Sequence, residues 1–228
     1  MRQPLKVLFE DNHLIAINKI SGVLVQSDET GDVTLADMVK QYIKEKYAKP
    51  GAVFLGVIHR IDRPVSGVVL FARTSKALTR MNELFRTRDI QKTYLAVVEG
   101  KPARTQETLI HWLIKNQDAN RTSVYKKEKD GAQRCELTYQ LLKSRDGLSL
   151  VKVKPITGRS HQIRAQLSEI NCPIRGDVKY GASEGFDTAI GLHAHQLFFT
   201  HPVTQHPMTI EAPAPQNLIW QPFASDVT

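Results

Sequence analysis

The stretch His59-Arg60-Ile61-Asp62-Arg63-Pro64-Val65-Ser66-Gly67-Val68-Val69-Leu70-Phe71-Ala72 runs from a charged loop into an apolar strand. One acid stands there among two arginines and a histidine, ahead of a Pro/Gly turn. Adjacent cations keep such a carboxylate ionised. A loop held against a strand is also a common seat for catalytic groups. The plain alternative is a surface ion pair with no further role.

Reading outward, Ser75 opens a helix whose buried stripe is Leu78, Met81, Leu84 and Phe85. A strand follows over residues 94–98, closed by Glu99-Gly100. Upstream, Leu35, Met38, Val39, Tyr42 and Ile43 recur at helical spacing, with Thr34 or Asp32 as the cap and Pro50-Gly51 ending the unit. A hairpin around Asp11-Asn12 joins strands at 7–9 and 14–17. Downstream, strands are expected at 136–142, 148–154 and 192–200. A short helix is expected from Ser160 to about Ile170, with Ile163, Leu167 and Ile170 inward. Strands cluster, helices are few, and the two do not alternate regularly. This predicts an α+β fold with a largely antiparallel sheet. With no repeat, low-complexity segment or long linker, one domain over residues 1–228 is expected.

Composition narrows the function. Hydrophobic residues make up 41% and charged residues 24%. No apolar run approaches the roughly 18 residues of a membrane span. The first six residues carry charge without a following apolar signal core. A cytoplasmic protein without a membrane partner is expected. Cys135 and Cys172, the chain's two cysteines, read as reduced thiols. The net charge of +8 attracts polyanions. By itself it suits nucleic acid, an anionic membrane or merely a basic surface. No phosphate-cradling Gly-x-x-x-x-Gly-Lys loop and no Gly-x-Gly-x-x-Gly fingerprint is present. His193, His195, His201 and His206 lack a nearby carboxylate or thiolate cluster to complete a metal site. Neither metal nor cofactor is expected.

Two further segments carry chemistry. Pro155-Ile156-Thr157-Gly158-Arg159-Ser160-His161-Gln162-Ile163-Arg164 is a glycine turn leading into a helix start with two arginines, which suits an anion or is simply a solvated first turn. In Gln91-Lys92-Thr93-Tyr94-Leu95-Ala96-Val97 a tyrosine opens an apolar strand, as core filler or as a stacking platform for a base.

Together and in this order, these segments resemble the RluA family of pseudouridine synthases. That family's pattern around its catalytic aspartate is close to His-Arg-Leu-Asp-x-x-Thr-Ser-Gly. Here Ile61 replaces the leucine, and Val65 replaces the threonine and loses a hydroxyl. Lys92-x-Tyr94 resembles the tyrosine motif, and the segment from Thr157 to Arg164 the third motif. Asn18-Lys19-x-Ser21-Gly22, Gly176-Asp177-x-x-Tyr180-Gly181 and Leu192-His193-Ala194 also resemble family sequence. The similarity covers roughly residues 5 to 212, and it is similar to the shorter form without an N-terminal S4-type domain.

The resemblance implies the pseudouridine synthase fold, a mixed, largely antiparallel sheet with a central active-site cleft. It also implies isomerisation of uridine in structured ribosomal or transfer RNA; a monomer is expected separately, because no interface signature is visible in the sequence. Asp62 is then the nucleophile, Arg164 its ion-pair partner, and Tyr94 the ring that stacks on uracil and serves in proton transfer. Ile163 packs near the base, and Arg60 fills the gap left by the turned-out uridine. Two basic groups, one between Arg73 and Lys92 and one from Arg121 to Arg134 with Lys126 and Lys127, are candidates for RNA phosphates. Two alternatives stay open. One is a non-catalytic RNA-binding or chaperone module on the same fold. The other is a carboxylate glycoside hydrolase, although no second acid stands out near these motifs.

Overall fold

The computed structural model describes residues 5–27 and 31–227; residues 1–4, at the start read above for a leader, lie outside them. In chain order the elements are β1 (Val7–Glu10), β2 (Leu14–Lys19), α1 (Leu35–Lys46), β3 (Gly56–Val57), β4 (Ser66–Ala72), α2 (Ser75–Thr87) and β5 (Gln91–Glu99). There follow β6 (Gln106–Asn116), β7 (Arg121–Tyr125), β8 (Gln133–Arg145), β9 (Leu148–Pro155), α3 (Gln162–Glu169), β10 (Leu192–Thr200) and β11 (Pro207–Glu211). Short 3-10 turns lie at Val178–Tyr180 and Gln221–Asp226. Contacts group the chain into two compact units, Met1–Gln91 with Ala194–Ala212, and Lys92–His193 with Pro213–Thr228. The chain passes between them three times, inside β5, inside β10 and just after β11, at Ala212-Pro213.

In the first unit the strands run β1-β2-β4-β10, with β3 on β4 and β11 on β10. β4 is buried at all seven positions, as a continuous apolar run with both faces covered should be. Leu14, Ala16, Leu70 and Ala72 pack with Ala77 and Met81 of α2. Thr34 caps α1 through a reciprocal pair of bonds with Asp37, settling the choice between Thr34 and Asp32. Glu10 of β1 ties α1 down. Its carboxylate accepts from the Tyr42 hydroxyl (2.9 Å), Lys46 Nζ (2.6 Å) and the Tyr47 hydroxyl (2.9 Å), and pairs with Arg73 (3.2 Å).

In the second unit the order is β5-β9-β8-β6-β7, antiparallel at β5–β9, β9–β8, β8–β6 and β6–β7. α3 packs on β6 and β7 from one side. Ile219, Trp220 and Phe223 pack on Leu95, Val97 and Leu150. The fold is α+β, with a largely antiparallel sheet and few helices, as the sequence predicts. β3, β6, β7 and β11 are additions to that reading. Buried Leu109, His111 and Leu113 alternate in β6 with Ile110, Trp112 and Ile114, so apolar residues lie on both faces and the two-residue contrast vanishes. α3 begins at Gln162 rather than Ser160, because His161 takes a left-handed φ of 52°.

Candidate active site

In the first unit, Asp62 sits half-buried on the loop between β3 and β4. Ile58, Ile61 and Val65 anchor this loop in the core. The Val65 N–H donates to the Asp62 carbonyl at 3.0 Å, closing a turn over Arg63-Pro64. His59 Nε2 accepts from the Leu70 N–H at 3.0 Å, and its ring stacks on Phe85 at 5.1 Å. An accepting Nε2 leaves the proton on Nδ1, so this histidine is a neutral brace. Gly67 follows at φ +116°, where a Cβ would run into the Ala194 backbone.

Lys19, at the end of β2, is 1% exposed. Its Nζ donates to the carbonyls of Val23 (2.8 Å), Arg63 (3.0 Å) and Ile20 (3.1 Å). Burial pushes its pKa down to about 7, the Asp62 charge pulls it up, and Arg63 lowers it. Three carbonyl acceptors call for the ammonium, since a neutral amine has two protons to give. The same joint is locked by mutual bonds between Gly22 and Arg63, each 2.9 Å. Lys19 therefore fixes the residue next to Asp62 and lends that carboxylate a buried positive charge. Arg60 is exposed on the same loop.

In the second unit, Tyr94 is half-buried on β5, opposite Val153 of β9. Ile163 and Arg164 lie buried in the first turn of α3. Arg164 holds Asp177 through two bonds, Nε–Oδ2 at 2.6 Å and Nη2–Oδ1 at 2.9 Å. The Tyr180 ring faces its guanidinium at 5.0 Å. The Thr122 N–H donates to the Tyr180 hydroxyl at 2.8 Å, and that hydroxyl is also hydrogen-bonded to His161 Nδ1 at 2.9 Å. Gln162 braces the preceding turn. Its Oε1 accepts from Thr157 Oγ1 (2.8 Å) and the Arg159 N–H (3.0 Å), and its Nε2 donates to the Glu136 carbonyl (3.0 Å).

The candidates thus divide. Arg60 and Asp62 share one loop of the first unit; Tyr94, Ile163, Arg164, Lys126 and Lys127 belong to the second. Lys126 pairs with Glu169 of α3 at 3.4 Å, while Lys127 is exposed. Within the other basic group, Arg73 is committed to Glu10, and Arg86 to Glu83. Among the described residues no cluster of three His, Cys, Asp or Glu side chains stands ready for a metal. Lys19, Asp177 and Tyr180 stand in family-like motifs of the sequence, but their partners come from the fold. Their burial is the missing signal.

The family model described as RNA pseudouridylate synthase matches residues 13–169. The chain belongs to this family. The resemblance read from the motifs is thereby borne out. Among curated relatives, ribosomal large subunit pseudouridine synthase C of Vibrio vulnificus is 32% identical over 220 residues, covering 93% of this chain and 66% of that protein. The Escherichia coli protein of that name is 34% identical over 222 residues, covering 93% and 67%. The uncharacterized RNA pseudouridine synthase YhcT of Bacillus subtilis is 31% identical over 219 residues, covering 94% and 70%. The chain thus spans about two thirds of the length of these relatives. Among solved structures, human RNA pseudouridylate synthase domain containing 4 superposes with a TM-score of 0.78 at 25% identity, covering 92% of this chain and 89% of that one. Human RNA pseudouridylate synthase domain containing 1 gives 0.75 at 22%, covering 99% and 96%, a likeness of fold.

Proposed function

We propose that this chain isomerises uridine to pseudouridine in structured RNA, with ribosomal RNA as the first substrate to test and Asp62 as the nucleophile. The names of the relatives support the substrate class. The observation that carries the reading is the setting of Asp62, a half-buried acid on the family's motif loop, locked through Arg63 by a buried lysine. In the reaction the N1–C1′ bond breaks, the uracil turns, and C5 bonds to C1′ while the C5 proton leaves and N1 gains one. No electrons are exchanged with another molecule, so the chemistry calls for no redox cofactor.

In this reading both units form one catalytic domain that acts as a monomer in the cytoplasm. The Asp62 carboxylate forms the covalent intermediate that splits the isomerisation into two steps. Arg164, oriented on one edge by Asp177, keeps that carboxylate ionised. Tyr94 stacks on the uracil, and its hydroxyl serves the proton transfer at C5. Ile163 keeps out water that would otherwise capture the glycosyl carbon. Arg60 stacks in the gap left by the flipped nucleotide, and Lys126 and Lys127 meet phosphates.

The test is purified protein on large-subunit ribosomal RNA tritiated at uridine C5. Wild type should release label in step with pseudouridine formed, and Asp62→Asn should release none. Equal release by Asp62→Asn removes Asp62 from the chemistry. Free uracil in place of pseudouridine makes the protein a hydrolase.

A further inference from the structure

The sheet of the second unit is covered on one side only in part. Antiparallel register puts directly opposed side chains on the same face. Trp112 of β6 stands opposite Arg134 of β8 and Tyr125 of β7, so these three form one row. Lys129 Nζ lies 4.0 Å over the Tyr125 ring. Further rows of this face hold Thr138 opposite Lys154 and Gln140 opposite Lys152. Ile110, two residues from Trp112, is 40% exposed. The C-terminal residues Ile219, Trp220 and Phe223 cover the face at β5 and the start of β9, over Leu95, Val97 and Leu150. Across β8, β6 and β7 the rows stay half-buried to exposed.

Half-exposed aromatic rings on a solvated sheet face, bordered by Arg134, Lys129, Lys152 and Lys154, form a pattern with a use. Glu136, opposite Ile110, adds a carboxylate to these rows, and its charge is taken up by Arg134 at 2.8 Å. The face is therefore cationic around an aromatic centre. Every base offers a π-face to stack on such a ring, while its phosphates meet the flanking cations. We infer that this face binds an unpaired stretch of the substrate RNA, with one base stacked on Trp112 and backbone phosphates on Lys129, Lys152 and Lys154. The inference rests on the RNA substrate proposed above and adds a contact that the candidate catalytic residues do not supply. It would help decide which uridine is presented, since unpaired segments carry readable sequence.

The chain has two tryptophans, and Trp220 at 2% exposed is out of reach of a bound base, so RNA-dependent quenching of the fluorescence reports on Trp112. The experiment titrates the full chain with a ten-nucleotide oligoadenylate, and with an RNA duplex of equal length for comparison. The single strand should quench the emission to saturation. Trp112→Phe should lose the quench yet bind within about threefold of wild type, because a ring remains. Trp112→Ala should bind at least about fivefold more weakly, the lower end of one lost base stack. Reversing Lys152 and Lys154 to glutamate together should weaken binding and flatten its salt dependence. Saturating RNA that leaves the fluorescence unchanged overturns the inference. So does Trp112→Ala binding at wild-type strength, which would hand the face to a protein partner. Quenching in a protein that forms no pseudouridine would sink the catalytic reading and leave this one standing.

Discussion

A buried ammonium persists only where its protons find acceptors, and Lys19 finds three backbone carbonyls, those of Ile20 and Val23 after β2 and that of Arg63 beside Asp62. Lys19→Met keeps the stem and leaves those carbonyls without a donor. A loss of about 3 kcal/mol is expected, the scale of a broken buried charge network. It should be read from urea unfolding, together with a fall in turnover because the Arg63 joint loosens. Wild-type stability in Lys19→Met would show the clamp to be idle. Gly67→Ala meets both an unfavourable φ and the Ala194 backbone. A loss of about 2 kcal/mol or more in the same assay is expected. Asp62 and Tyr94 draw notice in the sequence as an acid among cations and a ring at a strand start, whereas Arg164 is picked out by the family resemblance alone. Lys19 and Asp177 do not stand out. A lysine closing a strand and an acid after a glycine look like surface residues until their neighbours are known.

At the scale of elements, ion pairs decide how helices are held. Arg164 and Asp177 join α3 to the turn at Val178–Tyr180, with side chains 6% and 2% exposed. Asp177→Asn removes the buried carboxylate charge that Arg164 holds through two bonds. A loss of about 3–5 kcal/mol is expected from chemical denaturation, and a variant as stable as wild type would contradict it. Glu10 holds α1 against β1. Burial raises its pKa, but donation from Lys46, Tyr47 and Tyr42 outweighs this and leaves it below the ordinary carboxylate value. Its contribution is therefore full above about pH 5 and lost as the pH falls below about 4.5 through the depressed value. Glu10→Gln should flatten the acid limb of a stability–pH curve; an unchanged limb would mean the network adds nothing. The helices and β4 were legible because their apolar residues keep a clear period or an unbroken run. β6 and β7 were not. One is apolar on both faces, and the other is a short, polar edge strand that pairing with β6 supports.

For the whole molecule, a net charge of +8 makes RNA affinity a function of salt. If about four phosphates are neutralised, affinity should drop roughly a hundredfold between 50 and 200 mM salt. A salt-insensitive complex would leave the basic residues without a role in binding. The α+β class was legible from the order of elements alone. The unit boundaries inside β5 and β10 were not, because the sequence shows no linker there; the third falls after β11, at Ala212-Pro213. The most direct test of the central claim maps pseudouridine in total RNA from cells with and without this gene, rescued by wild type or by Asp62→Ala. Sites in large-subunit ribosomal RNA should vanish with the gene, return with the wild type and stay absent with Asp62→Ala. Sites that return with Asp62→Ala would contradict the nucleophile, and modification unchanged by loss of the gene would contradict the proposed substrate.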